Sequence, residues 1–87
     1  MFSASVLVAM RDVALADIRH AGSPGNSRKV QQYWLQLRTA IGEDPILLEK
    51  CTKELNAPEG SSQALLTAIR CYADHYKIDL PQPYQRS

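Results

Sequence analysis

The sequence predicts an all-α protein, a compact bundle of four short helices with an extended C-terminal tail. Apolar residues recur every three or four positions in four separate stretches, which is the spacing of amphipathic helices. Short segments rich in glycine, proline, serine or asparagine separate these stretches, and no stretch alternates as a strand does. A chain of 87 residues forms one domain around one core, so we assign residues 1–80 to that domain and residues 81–87 to a flexible, proline-rich tail.

Helix 1 is predicted over about residues 3–20 and is apolar around more than half of its circumference. Its main apolar stripe consists of Val6, Leu7, Met10, Val13, Ala14 and Ile18. Val8 and Leu15 widen this stripe beyond what one side of a four-helix core needs. We therefore expect Val8 and Leu15 to mediate self-association of the protein as a homodimer.

Residues 21–27 are predicted to form a loop, because they include two glycines, a proline, two serines and an asparagine. Helix 2 then runs over about residues 28–41, with Ser27 or Asn26 as its N-cap and Gly42 as its stop. Its core stripe consists of Val30, Tyr33, Trp34, Leu37 and Ile41.

The polar side of helix 2 carries a single leucine, Leu35. An isolated exposed leucine usually has no role. Here Arg28, Gln31 and Arg38 surround it, and arginine is enriched at protein interfaces. We interpret these four residues as a docking patch for a protein partner. Tyr84, in the extended proline-rich tail, is a further partner-binding residue on this interpretation, and a frayed terminus is the alternative.

Helix 3 is predicted over about residues 45–55, since Asp44 is a good N-cap and Pro45 suits the first helical position. Helix 4 is predicted over about residues 62–77, with Ser61 or Ser62 as its cap. Its apolar stripe consists of Leu65, Ile69, Tyr72 and Tyr76. Residues 78–80 are expected to fold back on the bundle.

The composition excludes several function classes. A net charge of +1 and a pI of about 7.8 do not suit sequence-independent binding to a phosphate backbone. The apolar run of residues 6–10 is too short for a signal peptide, and no segment approaches the length of a membrane span. Two cysteines do not form a disulfide framework. We expect a cytoplasmic protein with reduced thiols, no membrane partner and no cofactor.

Cys71 and His75 are the one pair that suggests chemistry, because residues four apart share a helix face. A closed zinc site would need Cys51 and His20 as further ligands, from other helices. A nucleophilic Cys–His pair would need a thiol with a lowered pKa and an oxyanion site, and Cys71 lies in mid-helix. A buried thiol and a surface imidazole are the favoured interpretation. We therefore expect no catalytic residues, no metal site and no enzymatic activity.

The sequence thus predicts a protein–protein interaction module, such as a small adaptor, inhibitor or regulatory subunit. The alternative is a DNA-binding regulator of the helix-turn-helix type. In that alternative the start of helix 4 would read DNA through Ser61, Ser62, Gln63 and Thr67, with Lys50, Lys53 and Arg70 near the phosphates. Because the basic residues are spread along the chain and the turn is long, DNA binding is the less favoured hypothesis.

Overall fold

The computed structural model describes residues 1–20 and 28–82, together with the backbone of residues 24–27. Four helices occupy most of these ranges: α1 (Ala4–Arg19), α2 (Pro24–Gly42), α3 (Pro45–Glu54) and α4 (Ser62–His75). No strand occurs within them. The predicted all-α bundle of four helices is therefore confirmed.

The start of α2 differs from the prediction. The helix begins at Pro24, four residues before the predicted start at residue 28, so the loop prediction is wrong for residues 24–27. Asn26 and Ser27 lie inside the helix, and neither is its N-cap. Proline is favoured in the first helical turn, where its fixed φ fits and its missing N–H has no partner to lose. Residues 21–23 of the predicted loop lie outside the described residues.

The predicted caps of α3 and α4 are present. Asp44 precedes α3, and its Oδ1 accepts hydrogen bonds from the N–H groups of Ile46 (3.1 Å) and Leu47 (3.3 Å). Ser61 precedes α4, and its Oγ accepts the N–H of Ala64 at 3.1 Å. These bonds satisfy helix N–H groups that have no partner within the helix. They fix where both helices begin.

Helix α4 lies at the centre of the bundle and packs against each of the other three helices. Three residues of its predicted apolar stripe are confirmed as core, since Leu65, Ile69 and Tyr72 are at most 2% exposed. Tyr76, the fourth, is partly buried against them. The other helices contribute further fully buried side chains to the same core, among them Leu7, Met10, Leu37, Ile41 and Leu47.

The core-facing side of α1 is narrower than its predicted main stripe. Leu7, Met10 and Ala14 are fully buried, whereas Val6 and Ile18 are 41% and 44% exposed. Val6 lies about 100° around the helix from Leu7 and so falls on its flank. Ile18 lies in the last turn of the helix. Val6 and Ile18 therefore belong to the apolar stripe of the sequence but not to the buried core.

The end of α4 directs the chain back onto the bundle. The helix ends at His75, and Lys77 adopts a left-handed conformation with φ 56°. The N–H of Ile78 bonds to the carbonyl of Ala73 (2.8 Å), and the N–H of Lys77 bonds to that of Asp74 (3.3 Å). This is the Schellman pattern of helix termination. Ile78 and Leu80 then pack against the core, which confirms the predicted return of residues 78–80.

Candidate protein-binding surface

The polar side of α2 faces outward, as the sequence predicted. Leu35 lies at the centre of this side and is 64% exposed. Gln31 and Arg28 are also exposed, one and two helical turns before it respectively, and therefore lie on the same side of the helix. The structure thus brings three of the predicted partner-binding residues together. We call Arg28, Gln31 and Leu35, with the exposed Gln32 and Thr39 beside them, the α2 face.

Arg38 lies at the border of the α2 face rather than within it. Its side chain is half-buried, and its Nη1 is 3.2 Å from the position that a β-carbon on Gly42 would occupy. The guanidinium charge also acts on the thiol of Cys51 in α3. Arg38 therefore contributes positive charge to the edge of the α2 face nearest α3. Tyr84, the remaining predicted residue, lies outside the described residues.

The helix that carries the α2 face has charged side chains of one sign only over its last fifteen residues. From residue 28 to residue 42 the sequence contains three basic side chains, Arg28, Lys29 and Arg38, and no aspartate or glutamate. Arg28 and Lys29 are both exposed. The surface therefore combines positive charge, glutamine amides and one exposed leucine, which complements an acidic surface with a small apolar pocket.

The predicted self-association residues occupy one flank of α1. Val8 and Leu15 are half-buried, and Arg11 lies between them on the same ridge of the helix. The Nε of Arg11 is buried and has no hydrogen-bond partner among the described residues. Asp17, the other charged residue within the apolar arc of α1, accepts a hydrogen bond of 2.6 Å from the hydroxyl of Ser62. Self-association through Val8 and Leu15 stays a prediction.

Several residues assigned to DNA reading have structural roles in this fold. Ser61 is the cap of α4, and Ser62 is 7% exposed and bonded to Asp17. Arg70 forms an ion pair of 3.0 Å with Glu54. Gln63, by contrast, is exposed. These contacts reduce the number of side chains that the start of α4 could offer to bases and phosphates.

Cys71 and His75 do not interact with each other in the way that a nucleophilic pair would. The Cys71 thiol is 4% exposed and donates a hydrogen bond to Glu54 Oε2 at 3.2 Å. Burial, together with that bond to Glu54 and the neighbouring Cys51, raises the pKa of Cys71 to about 12. Burial likewise raises the pKa of Cys51. Such thiols are poor nucleophiles at neutral pH.

His75 instead belongs to a junction between α4 and α3 that the sequence did not reveal. Its Nε2–H donates to Asp44 Oδ2 at 2.9 Å, and the hydroxyl of Tyr76 donates to the same oxygen at 3.2 Å. The bond from the Leu47 N–H, with those from His75 and Tyr76, holds the pKa of Asp44 below its ordinary value. Burial and the bond to Asp44 raise the pKa of Tyr76. No group of three metal-ligating side chains is found among the described residues.

A cavity of about 440 Å³ opens beside this junction, between the N-terminal residues, the α2–α3 turn and the end of α4. Phe2, Tyr72 and Tyr76 contribute aromatic rings to its lining, and Glu43 and Asp44 contribute carboxylates. No sequence signal indicated this cavity, because Phe2 and Tyr72 lie 70 positions apart in the chain.

Comparison with protein-family models, with curated proteins and with solved structures gave no match. Within the described residues, no helix has the length and apolar character that crossing a bilayer requires. Function therefore has to be inferred from the surfaces themselves. The α2 face includes Leu35, one of the large apolar side chains that the fold leaves exposed.

Proposed function

We propose that this protein is a non-enzymatic interaction module that binds a protein partner through the α2 face. The observation that carries the proposal is Leu35, which is 64% exposed in the middle of a long helix. The fold does not need this side chain, since the opposite side of α2 supplies the core. Burying a leucine completely stabilises a complex by roughly 1.5–3 kcal/mol, so a partner that covers Leu35 gains most of that amount.

The α2 face suits recognition because the helix beneath it is held rigidly. Val30, Leu37 and Ile41 are at most 1% exposed, and Trp34 is 5% exposed. The face is therefore presented in one conformation before a partner arrives. Pre-organisation of this kind reduces the conformational entropy that binding costs.

The chemistry of the α2 face favours an acidic partner. Arg28, Lys29 and the border residue Arg38 make this region of α2 positive. Charged groups around an interface mainly raise the association rate and set specificity, and salt screens them. We therefore expect added salt to slow association with the partner. Tyr84 remains part of the proposed partner-binding set.

The proposal includes a role as adaptor, inhibitor or regulatory subunit in the cytoplasm, where the free thiols Cys51 and Cys71 would stay reduced. It also includes homodimer formation through Val8 and Leu15 on α1. DNA binding through the start of α4 is the competing hypothesis, and it has less support because Ser61, Ser62 and Arg70 make intramolecular contacts.

The test is a capture experiment with the purified protein as bait in lysate of its own host, before and after nuclease treatment. The proposal predicts a stoichiometric protein partner that resists nuclease and is lost with Leu35→Asp, while the melting temperature of the variant is nearly unchanged. Retention of nucleic acid, with steep salt dependence and loss on combining Gln63→Ala with Arg70→Ala, would instead support DNA binding.

A further inference from the structure

We propose that the cavity beside the α3–α4 junction is a binding site for an alkylammonium head group. The site lies away from the α2 face, and the inference does not rest on the function proposed for that face. It follows from three properties of the cavity: its aromatic rings, its carboxylates and the fixed positions of both.

Three aromatic rings form a continuous cluster at the cavity. The rings of Phe2 and Tyr72 are 5.6 Å apart at 61°, and those of Tyr72 and Tyr76 are 4.8 Å apart at 56°. Tyr72 is 2% exposed and forms the floor, whereas Phe2 and Tyr76 are half-buried walls. Aromatic faces attract cations, and clusters of such rings are the usual way in which proteins bind quaternary ammonium groups.

The charged side chains that line the cavity are carboxylates, which attract a cation. Glu43 is exposed at its rim, and Asp44 lies beside it. Among the described lining residues there is no lysine, arginine or histidine side chain. The α-ammonium of Met1 forms no ion pair with a carboxylate of the described residues. Asp44 caps α3 and is bonded to His75, so Glu43 is the carboxylate that remains to interact with a bound cation.

The walls are held in place before any ligand binds. The Tyr76 hydroxyl is bonded to Asp44, and the ring of His75 packs edge-on against that of Tyr76 at 4.7 Å. The hydroxyl of Tyr72 accepts the N–H of Phe2 at 3.0 Å. A volume of about 440 Å³ lies within the range of small-molecule sites and exceeds the need of a single ammonium head. The ligand therefore has a short alkyl part in addition to its charge.

This chemistry disfavours an anionic ligand, because the carboxylate of Glu43 would repel it. It also disfavours a neutral apolar ligand of the same shape, since that ligand would desolvate Glu43 and Asp44 without replacing their interactions with water. A quaternary ammonium, or the primary ammonium at the end of a lysine side chain, can contact the aromatic rings and is attracted by the carboxylates.

The proposal is tested by titrating the ¹⁵N-labelled protein with choline and, separately, with butylammonium, at constant ionic strength. The neutral isostere 3,3-dimethyl-1-butanol serves as the matched control. We expect saturable shifts at Phe2, Glu43 and Tyr76, with binding of the isostere weaker by roughly tenfold. Tighter binding of choline would assign the site to a quaternary ligand, and tighter binding of butylammonium to a lysine side chain. Equal shifts with the isostere, or no saturable shift with either cation, would overturn the proposal.

Two variants separate a binding role of Glu43 from a general charge effect. Glu43→Gln should weaken choline binding several-fold and leave binding of the isostere unchanged, because only the cation uses the carboxylate. Glu59→Gln removes another exposed carboxylate, outside the cavity lining, and should leave choline binding unchanged. Tyr76→Leu should abolish cation binding, and if that variant does not fold, Glu43→Gln decides the question. Unchanged choline affinity in Glu43→Gln contradicts the assignment.

Discussion

Cys71 should be almost inert towards alkylating reagents in the folded protein. At about pH 8 a thiol with the ordinary pKa of 9.0 is roughly one-tenth thiolate, whereas one with a pKa of about 12 is roughly one ten-thousandth thiolate. The raised pKa therefore lowers the thiolate fraction by about a thousandfold. A thiolate of higher pKa is intrinsically more nucleophilic, and this recovers roughly 15- to 30-fold. The remaining difference is at least about thirtyfold, and burial of the sulfur slows the reaction further.

The rate can be measured on the wild-type protein by iodoacetamide labelling and peptide-resolved mass spectrometry. Trypsin cleaves after Lys50, Lys53 and Arg70, so Cys51 and Cys71 fall in different peptides. The same labelling in denaturing urea supplies the reference rate for each thiol. In the folded protein the rate at Cys71 should still rise about tenfold per pH unit near pH 10, where a free thiol has levelled off.

Two results would refute this reasoning. One is labelling of native Cys71 within a few-fold of its rate in urea. The other is a labelling rate that is already constant below about pH 8, which would mean a lowered pKa. Either result would show that the hydrogen bond to Glu54 and the burial of the sulfur do not determine the reactivity of Cys71. A nucleophilic Cys71–His75 pair would then have to be considered again.

Three further predictions concern stability and assembly. Lys77→Gly should raise the melting temperature by roughly 2–6 °C in a thermal scan, because glycine adopts the left-handed φ at less cost than lysine. An unchanged or lower melting temperature would refute this prediction. The pKa of Asp44 is lowered in the folded state, so the stabilisation that its charge provides is complete above about pH 3.8 and is lost as the pH falls through the folded pKa. Asp44→Asn should therefore make the melting temperature fall less steeply with acid. Parallel curves for the variant and the wild type would show that Asp44 does not cause the decline. Val8→Asp and Leu15→Asp should each give a folded monomer in light scattering and circular dichroism, whereas unfolded variants would show that this flank is intramolecular core.

Local sequence signals predicted most of the helices because each signal acts within a few residues. Apolar spacing gave the four stretches. Asp44 and Ser61 marked two helix starts through bonds to N–H groups two or three positions away, and Pro45 marked the first residue of α3. The same spacing placed Leu35 on the solvent side of α2. The start of α2 was missed because a segment rich in glycine, serine and asparagine resembles a loop, while its proline can equally open a helix.

The junction and the cavity could not be predicted because their residues are distant in the chain. Asp44 is 31 positions from His75 and 32 from Tyr76, and a cap residue with one oxygen engaged gives no sign of what its other oxygen will bind. Spacing alone paired His75 with Cys71, its neighbour on the helix. Only the packing of α3 against α4 decides that the imidazole reaches Asp44 and the thiol reaches Glu54.

The α2 face is tested most directly by comparing Leu35→Asp with Ile46→Asp. Both side chains are 64% exposed, one on α2 and the other on α3, so each substitution should change the free energy of unfolding by less than about 1 kcal/mol. The measurement is the affinity of each variant for the protein partner captured by the wild type, with melting temperatures taken alongside. The proposed function predicts loss of binding by Leu35→Asp and wild-type affinity for Ile46→Asp. Equal affinity of the two variants, or a large fall in the melting temperature of Leu35→Asp, would contradict it.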